Sequence, residues 1–177
     1  MNLEYSAMRW LWLDKGCFYV LQERTPVYNM GQPDVIGMSR DRYLTEIEIK
    51  KSASDFRADF KKPHRVNRHL FLDHAPRQFY YLMPPELAEK LADEIPEWAG
   101  LLTLDENMIA CKVLKVAPVN KQSKRISVKQ CVRAARMMVA HMMGYVLAAE
   151  TVKSNYKYQC EMSPLDWVDC EQGTYEI

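Results

Sequence analysis

The chain has no C-x-x-C pair, and its five cysteines, Cys17, Cys111, Cys131, Cys160 and Cys170, are odd in number. Neither a disulfide framework nor a zinc ribbon is expected. No apolar run is long enough to span a bilayer, and the first residues lack the n-region and apolar h-region of a secretory signal. These absences argue against a membrane partner and make a reducing cytoplasm the simplest location. Internal repeats and low-complexity segments are missing as well. So is net charge: 24 Lys and Arg face 23 Asp and Glu, a formal balance of +1. Bulk electrostatics therefore gives no argument for nucleic-acid binding, which only a local patch could supply.

The remaining composition is that of a globular protein. Over 177 residues, 48% are hydrophobic and 27% charged, which suits one domain with a sizeable core. The charges are unevenly spread, with a basic stretch from Lys50 to Arg68 and an acidic one from Glu86 to Glu106. Apolar spacing predicts a helix over Leu3–Leu13, ending near Lys15-Gly16. Cys17–Glu23 reads as a strand and Arg24–Gln32 as a loop. Pro33–Ser39 and Tyr43–Lys51 read as an antiparallel hairpin around Arg40-Asp41-Arg42. Ser52 is a good N-cap for a helix running from Ala53 to about Lys61 and ending before Pro63.

Gln78–Met83 reads as a buried strand, and Pro84-Pro85 as the start of a helix to about Asp93. Gly100–Leu104 and Met108–Val116 form a second hairpin around Asp105-Glu106-Asn107. After a basic, polar linker from Asn120 to Arg125, Ser127 could cap a long helix to about Glu150. The order implies an α/β (α+β) fold, a mixed central sheet flanked by helices, with a C-terminal helical extension. Residues 1–118 would be the core and 119–177 the extension, packed on the core or a partner.

One strand carries chemistry. In Thr45-Glu46-Ile47-Glu48-Ile49-Lys50, alternation puts Glu46, Glu48 and Lys50 on one face and Ile47 and Ile49 on the other, toward the core. Glu48 and Lys50 lie about 7 Å apart along the strand, and Asp34 can lie beside Glu48 across the hairpin, about 5 Å away. Two carboxylates at that separation suit a hard divalent cation, Mg²⁺ or Mn²⁺. Such a metal lowers the pKa of a bound water, and a neighbouring Lys can stabilise charge developing on a phosphate. These are the parts phosphodiester hydrolysis needs. Set against this, an isolated E-x-K on a strand is usually a solvated face with a weak salt bridge.

The longer pattern narrows the choice. Gln32-Pro33-Asp34-Val35-Ile36 followed by Glu48-Ile49-Lys50 resembles the PD-(D/E)XK nuclease signature. The run from Lys50 to Lys61 resembles the MmcB-like family of DNA-repair endonucleases, which reads E-[IV]-K-x-S-x-x-D-F-x-x-D-x-K. Ser52, Asp55, Phe56, Asp59 and Lys61 stand at the matching positions. Phe79–Pro85 and Ala99–Leu102 also look similar, so that the likeness covers residues 16 to 118 approximately. It extends to phage and prophage proteins of this nuclease class. The resemblance implies a restriction-endonuclease-like core and a Mg²⁺- or Mn²⁺-dependent endodeoxyribonuclease of DNA repair, recombination or phage DNA processing. Asp34 and Glu48 would be metal ligands, Lys50 the catalytic lysine and Glu23 a further acid. Glu4 would match a carboxylate of resolvase-like members. The alternative is a catalytically silent nucleic-acid-binding or assembly protein on the same fold.

DNA is the expected partner, with Ser52, Arg57, Lys61, Lys62, His64 and Arg65 as a phosphate-binding rim, joined by Arg68. The bland alternative is an ordinary polar surface. Asp55 and Asp59 share a helical stripe and could orient Lys50 or Lys61, or favour the helix start. His64, His69 and His74 recur every five residues, which does not gather them on one helix face, and no zinc site is expected. His141 reads as a core or interface histidine. Met137, Met138, Met142 and Met143 form a stripe for which core packing is the favoured reading, with a homodimer face as the alternative. No small-molecule cofactor is expected.

Overall fold

The computed structural model describes residues 2–22, 33–62 and 75–136, together with Val139 and Met143. The chain divides into two compact units, Met1–Ala134 and Ala135–Ile177. The first unit opens with α1, Leu3–Leu13. The Asn2 side chain accepts the Tyr5 N–H at 2.9 Å and so caps the helix start. Leu3, Ala7, Trp10 and Leu11 recur at helical spacing and are buried. Gly16, at φ +62°, turns the chain out of the helix, and the Cys17 N–H bonds back to the Leu11 carbonyl at 2.9 Å.

Six strands follow: β1 (Tyr19–Gln22), β2 (Val35–Met38), β3 (Leu44–Ile49), β4 (Gln78–Leu82), β5 (Gly100–Leu104) and β6 (Cys111–Lys115). They form one mixed sheet whose spatial order is their sequence order. β1, β2 and β3 pair antiparallel, β3, β4 and β5 run parallel, and β6 returns antiparallel to β5. Helix α2 (Ala53–Asp59) links β3 toward β4, and α3 (Pro85–Leu91), extended by a 3₁₀ turn over Ala92–Glu94, links β4 to β5.

Alternation along β4 gives the sheet a buried layer on each side. Tyr80 and Leu82 pack with α1, Ile47, Ile49 and Leu102. Phe79 and Tyr81 pack on the opposite face with Phe56 of α2, Leu91 of α3 and Leu101. Edge-to-face contacts of Phe56 and Phe79 with Tyr81, at 5.0 and 4.9 Å, fix that second layer. This is the mixed sheet flanked by helices expected from the sequence. β2, β3, β4 and β6 are shorter at their ends than the sequence suggested, β5 has the expected bounds, and α2 stops at Asp59 rather than at Lys61. The reason is a tightened last turn: the Lys61 and Lys62 amides bond to the Ala58 and Asp59 carbonyls, each at 3.1 Å.

Residues 117–134 belong to the first unit. Ser127 and Gln130 form a capping box, the Ser127 Oγ accepting the Gln130 N–H at 3.2 Å and Gln130 Oε1 accepting the Ser127 N–H at 2.8 Å. A helix follows from residue 128. Met143 is exposed, so core packing does not hold for it. Met137, Met138, Met142 and His141, and the expected helix end at Glu150, lie outside the described residues. Cys17, Cys111 and Cys131 are free thiols. Among the described residues no helix is long and apolar enough to cross a membrane.

Candidate active site

Three elements converge at the C-terminal end of β3. Strand alternation sends Glu48 and Lys50 toward the face that α2 covers, and Ile47 and Ile49 toward the α1 layer. The hairpin register pairs Val35 with Ile47, which sets Asp34 opposite Glu48, one residue beyond the ladder. The Asp34 Oδ2 accepts the Ile49 N–H at 2.7 Å, anchoring its carboxylate to β3. Beyond the strand, Ser52 accepts the Asp55 N–H at 3.2 Å and starts α2, which carries Asp55 and Asp59 back over the site.

The face that holds Glu48 and Lys50 is not solvated. Glu46, Glu48 and Lys50 are only 2, 4 and 3% exposed, because α2 and the Phe56–Tyr81 layer lie over them. Glu48 and Lys50 survive there as charges because each has partners. The Lys50 Nζ lies 3.0 Å from Glu48 Oε1 and 3.3 Å from Asp59 Oδ1. Asp55, half exposed, is a more distant third neighbour at 3.8 Å. Lys62 reaches the same two carboxylates, at 3.1 Å from Glu48 Oε1 and 2.6 Å from Asp59 Oδ1. Asp59, fully buried, is completed by the Tyr81 hydroxyl, which donates to Oδ2 at 2.9 Å. Two ammonium groups are thus held between Glu48 and Asp59.

Asp34 stands beside this network and feels its charges. Burial and the neighbouring Glu48 charge push its carboxyl up to about 6, although the Ile49 N–H, Lys50 and Lys62 pull the other way. Burial opposes the charged form of Lys62, but hydrogen bonds and charges from Asp59 and Glu48 outweigh it and raise its pKa. The donor set at Asp34 and Glu48 suits a hard divalent cation. Mg²⁺ commonly takes one or two carboxylates and completes its shell with water and phosphate oxygens. A cation between these two would relieve the repulsion that raises the Asp34 pKa. Among the described residues no group of three His, Cys, Asp or Glu side chains is gathered as a metal site.

The structure therefore brings Asp34, Glu48 and Lys50 together. Glu23, His64, Arg65 and Arg68, like His69 and His74, lie outside the described residues. Among the other rim residues only Lys62 turns into the site. Ser52 has its hydroxyl engaged in capping α2. Arg57 grips Glu94 through two bonds of 2.9 and 2.6 Å, so its charge is already partnered; its pKa is raised by those bonds and by the Glu94 charge. Lys61 stays exposed, while Asp55 and Asp59 both approach Lys50 rather than Lys61. Glu4, on α1, pairs with Lys51 at 3.2 Å. Tyr81 is the residue that sequence reasoning missed. A phenol in a strand buried on both faces needs a hydrogen-bond partner, and that requirement was its one available signal.

No protein-family model matches the chain, and no curated protein matches it. One solved structure with a significant match is a protein of unknown function from Silicibacter pomeroyi, SPO1766. It superposes with a TM-score of 0.56 at 20% identity, over 86% of this chain and 91% of that one. That likeness is one of fold.

Proposed function

We propose that this protein is a Mg²⁺- or Mn²⁺-dependent endonuclease that hydrolyses phosphodiester bonds in DNA. The observation that carries the reading is the buried Glu48–Lys50–Asp59 cluster, joined by the half-exposed Lys62 and set beside Asp34 at the end of β3. Burying this many charges is costly, and packing alone gives no reason for it. Asp34 and Glu48 would hold the metal. When bound, such a cation lowers the pKa of a coordinated water and offsets charge building on the phosphate. Lys50 supplies an ammonium fixed within 3.0 Å of Glu48, placed to stabilise the developing negative charge. Asp59, braced by Tyr81, holds Lys50 and Lys62 in position, so that little reorganisation is needed at the moment of reaction.

Glu23 is proposed as a further acid. Lys61, Lys62, His64 and Arg65 are proposed as phosphate contacts, and repair, recombination or phage DNA processing as the setting. A second reading, a nucleic-acid-binding or assembly protein without turnover, draws on one observation. Glu48 Oε1 already accepts from both Lys50 and Lys62, which compete with a cation for it. Cleavage of labelled single-stranded, duplex and branched DNA in Mg²⁺, Mn²⁺ or EDTA separates the two. Metal-dependent cutting supports the nuclease. Binding with no cutting of any substrate supports the silent protein.

A further inference from the structure

A second concentration of charge lies at the other end of the sheet. Residues 117–136 carry Lys121, Lys124, Arg125, Lys129, Arg133 and Arg136 and no Asp or Glu, in a chain whose formal net charge is only +1. Backbone bonds pin this segment across the N-terminal ends of β3 and β4. The Asn120 N–H donates to the Arg77 carbonyl at 2.8 Å, and the Ile126 N–H to the Arg42 carbonyl at 3.0 Å. The Arg42 guanidinium donates to the Ile126 carbonyl at 3.3 Å, and Ile126 itself is buried. The helix that follows is held at the same end, where the Cys131 Sγ meets the Met38 Sδ at 3.7 Å. The basic segment is therefore fixed to the sheet.

Its cations face solvent. Lys121, Arg125, Lys129 and Arg133 are exposed, and among the described residues none of these four forms an ion pair. Lys129 and Arg133 stand one helical turn apart. At the centre, two guanidiniums lie against the half-buried Tyr43 ring, Arg77 at 4.2 Å and Arg125 at 5.3 Å from its centroid. An aromatic face holds the planar groups in place without consuming their N–H forks, which match phosphate oxygens.

We infer that this surface is a nucleic-acid backbone-binding site, separate from the carboxylate–lysine cluster. Tyr43 and Lys50 flank β3 at opposite ends, on the order of 20 Å apart at the usual strand rise. The ligand is a chain of regularly spaced phosphates, which unpaired cations hold through counterion release. The exposed apolar residues in this segment are Val119, Val128 and Val132. It lacks the Trp, Phe and Leu side chains that seat a helix among lipid headgroups. The inference shares its ligand with the proposed activity but stands on different residues.

The test is fluorescence anisotropy of a labelled duplex in EDTA, titrated across salt, so that no turnover enters the reading. Lys90→Ala, which removes an exposed cation of α3 away from both sites, should bind as the wild type does. The triple variant Lys121→Ala/Lys129→Ala/Arg133→Ala should bind roughly tenfold or more weakly at low salt. Its log–log salt slope should fall by about 2.7, from three lost phosphate contacts at roughly 0.9 each. A charge-keeping triple, Lys121→Arg/Lys129→Arg/Arg133→Lys, should restore both, which separates lost charge from damaged folding. An unchanged slope in the alanine triple overturns the inference, as does failure of the charge-keeping triple to recover. Binding to phosphatidylserine vesicles but not to the duplex overturns it in favour of a membrane. Duplex binding that depends on these cations, with no cleavage in Mg²⁺, supports it while sinking the nuclease reading. Metal-dependent cleavage with an unchanged salt slope does the reverse.

Discussion

Asp34→Asn should make the protein more stable at neutral pH while abolishing the proposed nuclease activity. In the folded protein the Asp34 carboxyl is pushed up to about 6, chiefly by burial and then by Glu48. In the unfolded chain it titrates near its ordinary value of 3.8. A folded pKa raised above the unfolded one means that the folded state holds the proton more tightly. Asp34 therefore favours folding below pH 3.8, loses that contribution as pH rises toward 6, and opposes folding above it. Two pKa units correspond to a ceiling of about 3 kcal/mol. The carboxyl is partly exposed, and discounting for solvent screening leaves about 1–2 kcal/mol.

Asn removes the charge and keeps an oxygen to accept the Ile49 N–H, now made at 2.7 Å. At pH 7.5 the variant should melt about 2–8 °C above the wild type, judged from the usual scaling for chains of this size. The gap should close as pH falls toward 4. Mg²⁺ or Mn²⁺ should raise the wild-type melting temperature and leave that of the variant unchanged, because a ligand stabilises only the state that binds it. Scanning calorimetry across pH, with and without metal, reads all three. A variant less stable than the wild type at pH 7.5, by the same margin at pH 4, would refute the electrostatic argument.

Asp59→Ala should destabilise the fold by about 3–5 kcal/mol in urea titrations, since it strips a buried partner from both Lys50 and Lys62. Tyr81→Phe removes only the hydroxyl donated to Asp59, so a loss of about 1.5–3 kcal/mol is expected, with the secondary structure unchanged by circular dichroism. Gly100→Ala should cost more than ordinary overpacking, about 3 kcal/mol or above, because its Cβ would meet the Tyr80 ring at 2.5 Å and the Ala117 backbone nitrogen at 2.6 Å. Cys111, pushed up to about 12 by burial and then by the charges of Asp14 and Asp105, should resist alkylation at pH 8 in the native protein and react on unfolding.

The elements of the fold were legible where periodicity and punctuation agreed. Lys15-Gly16 closes α1, Ser52 opens α2, and Pro84-Pro85 opens α3, each for a local reason that any single chain displays. Strand alternation set Glu48 and Lys50 on one face and Ile47 and Ile49 on the other. What alternation cannot carry is depth. Nothing local to Thr45–Lys50 says that α2 folds back over the polar face, so a solvated E-x-K remained open until Phe56 and Tyr81 were seen to meet. The partners of Lys50 illustrate the same limit. Asp59 was visible as one of a pair on a helical stripe, but the choice of Lys50 and Lys62 over Lys61 follows from the tightened turn after α2. Tyr81 arrives through the parallel pairing of β3 with β4, which sets it beside Glu48 across 33 positions of chain. Long-range pairing of that kind has no local signature.

Cleavage of a labelled DNA duplex under Mg²⁺, by the wild type and by Lys50→Ala at matched folding and matched DNA binding, tests the central claim most directly. The account expects the wild type to cut, EDTA to stop it, and the variant to lose at least 100-fold in rate, roughly the worth of one charge-stabilising group in a buried site. Equal cutting by the two proteins would contradict the role given to the buried lysine, and no cutting by the wild type on any DNA would contradict the nuclease itself.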